Sequence, residues 1–301
     1  AERPIPIDLL SSGFALYRTY VKLALMSKTL LNEYRLGVVE TKIIETPYGR
    51  IAIGGPGDDV YQGDFFLIVD VGGNDVYHLS NRTKQQMLNK PLRAVIDLEG
   101  NDRYLGSDFT IGGGYFGCNV LIDVSGDDVY SAGNVSLGSG IYGIGILHDF
   151  SGSDRYVGKT FTQGAGSFGI GLLIDDSGND SYTCYSNGQA FAGVRGFGAV
   201  IDRSGNDFYT AVSPFQDFLR YDAHYVSFVQ GAALGHRPIA SSGIALLCEG
   251  GGNDSYTADI YGQGTAYWFG LGAVVDHSGD DRYSAHQYAQ GSGVHFAHGL
   301  L

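Results

Sequence analysis

The chain is poor in cysteine, in basic residues and in long apolar runs, and each shortage removes a class of protein. Its three cysteines, Cys118, Cys184 and Cys248, form no CxxC or CxxCH spacing. A zinc ribbon and covalently held haem are therefore unsupported, and buried free thiols are expected. Lysine and arginine total 19 against 32 acidic residues, and the net charge of -13 disfavours nucleic acid as a partner and favours cations. No stretch is apolar for long enough to make a transmembrane helix. No charged-then-apolar leader opens the sequence, although a mature chain starting Ala-Glu after signal cleavage would read this way. HExxH, GxSxG, P-loop and dinucleotide-binding patterns are missing as well.

What the chain has is a repeat. The stretch Gly169 to Tyr182, GIGLLIDDSGNDSY, recurs along most of its length. One aspartate of each copy falls at Asp59, Asp75, Asp102, Asp128, Asp154, Asp180, Asp207, Asp254 and Asp281, mostly 26 or 27 residues apart. A glycine always stands two residues before it and a tyrosine two residues after it. Five residues before it lies a second acidic column: Asp70, Asp97, Asp123, Asp149, Asp175, Asp202, Glu249 and Asp276. An apolar strand precedes that column, as in Ile170 to Ile174. A period in this range marks a solenoid, in which each repeat buries its apolar face only against its neighbours. The fold class expected is all-β: a parallel β-solenoid of about eight to nine coils, each made of strand, tight turn, strand and Gly-rich return.

Taken in order, residues 1–37 hold a flexible lead and the one convincing helix, about Asp8 to Arg35. Leu10, Phe14, Tyr17, Val21, Leu25 and Leu31 keep helical spacing there. Such a helix is expected to cap the open end of the solenoid. Residues 38–301 are the solenoid itself, starting with two strands around the turn at Pro47-Tyr48-Gly49. Asn81 to Lys90 reads as a polar loop. Insertions break the repeat at about 211–229 and 235–241. The final segment, Phe296 to Leu301, starts a coil, and its apolar edge is expected to pair with a partner, a second copy or further sequence.

The SGND turn resembles the RTX calcium-binding nonapeptide GGxGxDxUx. Gly178, Asn179, Asp180 and Tyr182 stand where its later glycine, variable residue, aspartate and apolar residue stand, while Asp175 and Asp176 occupy the places of its leading glycines. The resemblance covers roughly residues 54 to 301 and implies a right-handed parallel β-helix with one calcium-type turn per coil. The period of 26 or 27 residues, against a nine-residue half-turn, means about three strands per coil instead of two.

Electrostatics reaches a cation independently. Coils stacked about 4.8 Å apart place like charges at that spacing. The repulsion is roughly 3 to 4 kcal/mol per adjacent pair at an effective dielectric near 20. Only Arg103, Arg155, Arg203 and Arg282 adjoin the columns as compensating charge. Either backbone N–H groups of the turns hold the carboxylates, or a hard cation such as Ca²⁺ lies between coils. The expected ligands are Asp70, Asp75, Asp97, Asp102, Asp123, Asp128, Asp149, Asp154, Asp175, Asp180, Asp202, Asp207, Glu249, Asp254, Asp276 and Asp281.

The repeated tyrosine is expected to pack inward, because small residues follow it two positions on. A column of Gln163, Gln189, Gln230, Gln263 and Gln290 is expected to form an internal amide ladder. The insertions supply the only irregular, chemically capable residues: Asp217, Arg220, Asp222, His224 and His236. They are expected to be neighbours in space and are the catalytic candidates, if there is catalysis. The function expected is a calcium-stabilised rod, secreted or in a bacterial cell envelope (extracellular, periplasmic or cell surface), acting as adhesin, scaffold or assembly subunit. The alternatives are a β-helical polysaccharide lyase or hydrolase, with a glycan at the insertions, and an accessory subunit of a larger complex.

Overall fold

Alternating and continuous apolar segments are laid down every 26 or 27 residues, and the chain coils so that equivalent segments pair. The computed structural model describes residues 7–34, 40–80, 82–218 and 223–301. It is a parallel β-solenoid of about eight turns with three sheets, A, B and C, of 11, 9 and 7 strands. One coil runs from Ile170–Asp175 in sheet A through the SGND turn to Ser181–Cys184 in sheet B, then to Phe191–Ala192 in sheet C. The register keeps the repeat columns aligned: Asp175 lies between Asp149 and Asp202, and Tyr182 between Tyr156 and Tyr209. At the first coil the hairpin of β1 (Lys42–Thr46) and β2 (Gly49–Ile53) adds the one antiparallel pair in sheet A.

The tyrosines point inward as the small following residues imply. From Tyr61 to Tyr283 their rings stack coil on coil, with centroids 4.5 to 5.0 Å apart. Leu121, Leu147, Leu173, Val200 and Leu247 fill the core opposite them. Stacking aromatic faces at this spacing removes apolar surface from water along the whole axis.

Two elements differ from expectation. Helix α1 (Ile7–Tyr34) is present, but it lies along the outer face of sheet A and not over the solenoid's end. Sheet A is apolar on both faces, and its outer residues Ile96, Val120, Ile122, Ile144 and Ile146 need a second cover. Gly13, Tyr20 and Ala24 are buried there, with Leu16, Tyr17 and Val21 half-buried, whereas Phe14 and Leu25 face solvent. Tyr17 Oη lies 2.8 Å from His148 Nδ1, and His148 Nε2 lies 3.2 Å from Asp176. The second difference is α2 (Lys84–Asn89), where a loop is expected. The Thr83 hydroxyl accepts from Gln86 N–H and the Gln86 side chain accepts from Thr83 N–H, a capping box.

Candidate metal centre

The turn between sheets A and B stacks on itself at a distance only glycine permits. A Cβ on Gly152 would meet the Gly126 carbonyl oxygen at 1.7 Å, and on Gly100 the Gly73 carbonyl oxygen at 1.6 Å. Close approach, reinforced at Gly100 by φ +149°, is why this column tolerates nothing larger. The residue after the glycine forms a rung too: Asn74, Asn101 and Asp127 each accept from the backbone N–H of the next coil.

Both acidic columns are buried along most of the stack, and the protein holds both oxygens of most first-column acids but one oxygen of most second-column acids. In the first column the tyrosine hydroxyl of the preceding coil donates to one carboxylate oxygen, as Tyr130 to Asp149 at 2.5 Å, Tyr156 to Asp175 at 2.7 Å and Tyr209 to Glu249 at 2.8 Å. Tyr61 and Tyr77 make the same bond to Asp70 and Asp97. The other oxygen caps its own turn, accepting Ser125 N–H at Asp123 and Ser177 N–H at Asp175. In the second column one oxygen accepts the backbone N–H of the preceding coil's aspartate, at 2.6 Å for Asp102, Asp128, Asp154, Asp180 and Asp207. The remaining Oδ2 of Asp75, Asp102, Asp154, Asp180, Asp207 and Asp254 is buried with no hydrogen-bond partner.

Asp75, Asp102, Asp128, Asp154 and Asp180 each sit between two first-column carboxylates. Asp70, Asp75 and Asp97 each place one oxygen within 4.8 Å of the others; so do Asp97, Asp102 and Asp123, then Asp123, Asp128 and Asp149, and so on up the column through Asp175, Asp180 and Asp202. Asp97, Asp123, Asp149 and Asp175 thus each serve two clusters. Burial, then the neighbouring carboxylates, raises these acids: Asp102 to about 6, Asp154 to about 7, Asp128 to about 8, Asp180 to about 9 and Glu249 to about 10. Asp97, Asp123 and Asp149 move well above their usual range for the same reasons. Among the described residues no lysine or arginine pairs with either column, and Arg103, Arg155 and Arg203 face solvent.

The arrangement fits a cation. The donors are oxygens throughout, second-column members of the clusters such as Asp75, Asp102, Asp154 and Asp180 carry an orphaned buried Oδ2, and ligands about 2.3–2.6 Å from a hard ion lie at most about 5 Å apart across it. Buried Asp clusters can therefore bind a metal ion. At the last coil Asp276 and Asp281 are only half-buried.

The other singled-out residues fall into separate places. Gln163, Gln189, Gln230 and Gln263 are buried and Gln290 is exposed, but the buried four bond to backbone instead of to one another. Each Nε2 donates to carbonyls of two adjacent coils, as Gln163 to Tyr156 and Thr183, and each Oε1 lacks a partner. Of the catalytic candidates, Arg220 and Asp222 lie outside the described residues. Asp217 is buried, and its backbone N–H donates to the His224 carbonyl. His224 Nδ1 lies 2.8 Å from Asp259, and its ring stacks on His286 at 3.5 Å. His236 is exposed in the second insertion, whose Arg237 lies over Trp268 and beside His295. The two insertions thus sit at opposite ends of the strand Ala232–Leu234, each with its own partners. Asp259 and His286 belong to the ordinary repeat, and only the stacking of coils brings them to the first insertion.

No protein-family model, curated protein or solved structure matches the chain. Among the described residues no helix is long and apolar enough to cross a membrane.

Proposed function

We propose that the protein is a cation-stabilised solenoid rod that works as an adhesin, scaffold or assembly subunit outside the cytoplasm, with Ca²⁺ as the ion. The observation that carries this is the column of buried Oδ2 atoms without partners, repeated coil after coil and facing further carboxylates. A buried charge without a partner is costly, and a divalent ion between coils neutralises it along the full stack, roughly 40 Å for about eight turns. Oxygen-only donors in irregular geometry suit Ca²⁺ better than Mg²⁺ or Zn²⁺. Millimolar-range calcium sites belong to extracellular modules, which supports an extracellular, periplasmic or cell-surface setting. Phe296, Leu300 and Leu301 are exposed beside the last strand of sheet A and form the surface proposed for docking another protein or a second copy.

The test is removal of the ion. Excess chelator is expected to lower the melting temperature sharply, and Ca²⁺ to restore it by linkage. Unchanged melting in chelator, with no metal found by elemental analysis, would sink the calcium reading.

A glycan-cleaving reading has one observation in its favour, the His224–Asp259 pair at the first insertion. A carboxylate that orients an imidazole makes it a usable general base. Turnover of acidic polysaccharides that is lost in His224→Ala, with melting unchanged, would establish it; absence of turnover by the wild type would remove it.

A further inference from the structure

Elsewhere the excess charge is negative, but between α2 and the first strand of sheet C it is positive. Sheet C starts at Gly114–Tyr115, and in the coil before it α2 takes the place of a strand. The mismatch between helix and strand edge leaves a cavity of about 30 Å³, bordered by Arg93, Lys90, Met87, Phe109 and Tyr115. None of its lining residues is acidic.

Among the described residues the carboxylate that pairs with its cations is Asp64, and three of them share it. Arg82 Nε lies 2.6 Å from Asp64, Arg93 Nη2 3.1 Å and Lys90 Nζ 3.8 Å. That leaves a local excess of two positive charges. Burial would raise the Asp64 carboxyl, yet Arg82 and then Arg93 hold it below its ordinary value. Burial and the Arg82 charge lower Arg93, against the pull of Asp64.

The two arginines are satisfied to different degrees. A guanidinium has five N–H donors. Arg82 makes four bonds, to Asp64 and to the carbonyls of Lys90, Leu92 and Phe65, so it ties the ends of the α2 segment together. Arg93 is 5% exposed and makes two, both through Nη2, to Asp64 and the Ser80 carbonyl. Among the described residues its Nε–H and Nη1–H groups make no hydrogen bond, and the side chain borders the cavity. A buried guanidinium with idle donors beside a cavity calls for an anionic acceptor.

Size and lining narrow its class. A water-sized sphere needs about 10–15 Å³, so the cavity admits a group of about three heavy atoms. A carboxylate head of three heavy atoms meets that limit, with its alkyl stem left at the mouth, and a tetrahedral phosphate exceeds it. Phe109 and Tyr115, with ring centroids 5.0 Å apart, and Met87 add an apolar wall suited to a short alkyl stem. We infer that this cavity is a binding site for a small aliphatic carboxylate, held by Arg93 with Lys90 at the mouth.

The test uses the full chain with sodium acetate, sodium phosphate and sodium chloride at matched ionic strength. Acetate is expected to raise the melting temperature saturably beyond chloride, and calorimetry to give a single site. Arg93→Lys keeps the charge with fewer donors and is expected to weaken acetate binding at least about tenfold. Met87→Phe, which narrows the cavity and leaves every charge in place, is expected to weaken it as well; this variant carries the test if Arg93→Lys does not fold. Acetate acting no differently from chloride on the wild type overturns the site. So does unchanged affinity in the folded variants. Phosphate saturating at lower concentration than acetate overturns the carboxylate assignment.

Discussion

At the residue scale the columns couple in a way that a single copy of the repeat conceals. Tyr156 donates to Asp175, 19 residues on, because coil stacking sets the tyrosine of one turn beneath the carboxylate of the next. Tyr156→Phe removes that donor from a buried oxygen and is expected to cost about 1–3 kcal/mol in urea melts, with or without calcium. Asp180→Asn behaves differently. Its Oδ1 accepts the Asp154 N–H and its Oδ2 has no partner, so the amide keeps the capping oxygen and removes the charge. Melting in Ca²⁺ is expected to fall, while melting in chelator stays level or rises as carboxylate repulsion eases. Equal losses under both conditions would favour a purely backbone-capped turn.

At the element scale, the strands of sheet A read as continuous apolar runs, and this is the signature of burial on both faces. One face is the tyrosine-lined core; the other is covered by α1 at Tyr20 and Ala24. The helix was legible from its spacing, but its docking face was not. Phe14 and Leu25 are the larger residues yet stay exposed, while Gly13 takes a close contact in which a Cβ would meet Ile144 Cδ1 at 2.2 Å, and Ala24 is fully buried. Ala24→Glu is expected to lift the helix from the sheet. Stability should drop by at least about 2 kcal/mol, and binding of an apolar dye to the bared face should increase. A variant that melts like the wild type would show that α1 contributes little. The α2 segment was legible in principle through Thr83 and Gln86 three apart, a pattern that its polar composition masks.

For the whole molecule the acidic columns imply opposite pH responses with and without an ion. The raised carboxyls bind more protons folded than unfolded. Cation-free stability is therefore full below the unfolded carboxylate value of about 4 and declines as pH rises. The decline runs through about 6 for Asp102 and Asp254, about 7 for Asp154, about 8 for Asp75, Asp128, Asp175 and Asp207, and about 9 for Asp180. In saturating Ca²⁺ the ion needs the ionised form, so stability should hold or climb over the same range. Melting curves from pH 4 to 9 in chelator and in Ca²⁺ are expected to diverge. Parallel curves would mean that the columns keep their protons in both.

The sequence alone determined the coil. A 26- or 27-residue period with Gly, Asp and Tyr at invariant offsets admits one architecture, because only stacking satisfies every copy at once. It also determined that the tyrosines are core and that the two acidic columns lie near each other. Tertiary structure decided what is relative between coils and across faces. It decided that the Gln side chains bond to carbonyls and not to each other, since the amide reaches both coils' backbones before it reaches the next amide. It placed Asp259 and His286 beside His224, and it put the insertions at opposite ends of a strand. It also set Arg93 against an open cavity while Arg82 closed on carbonyls. Those outcomes depend on distances between residues far apart in the chain, and a local pattern of residue types does not encode them.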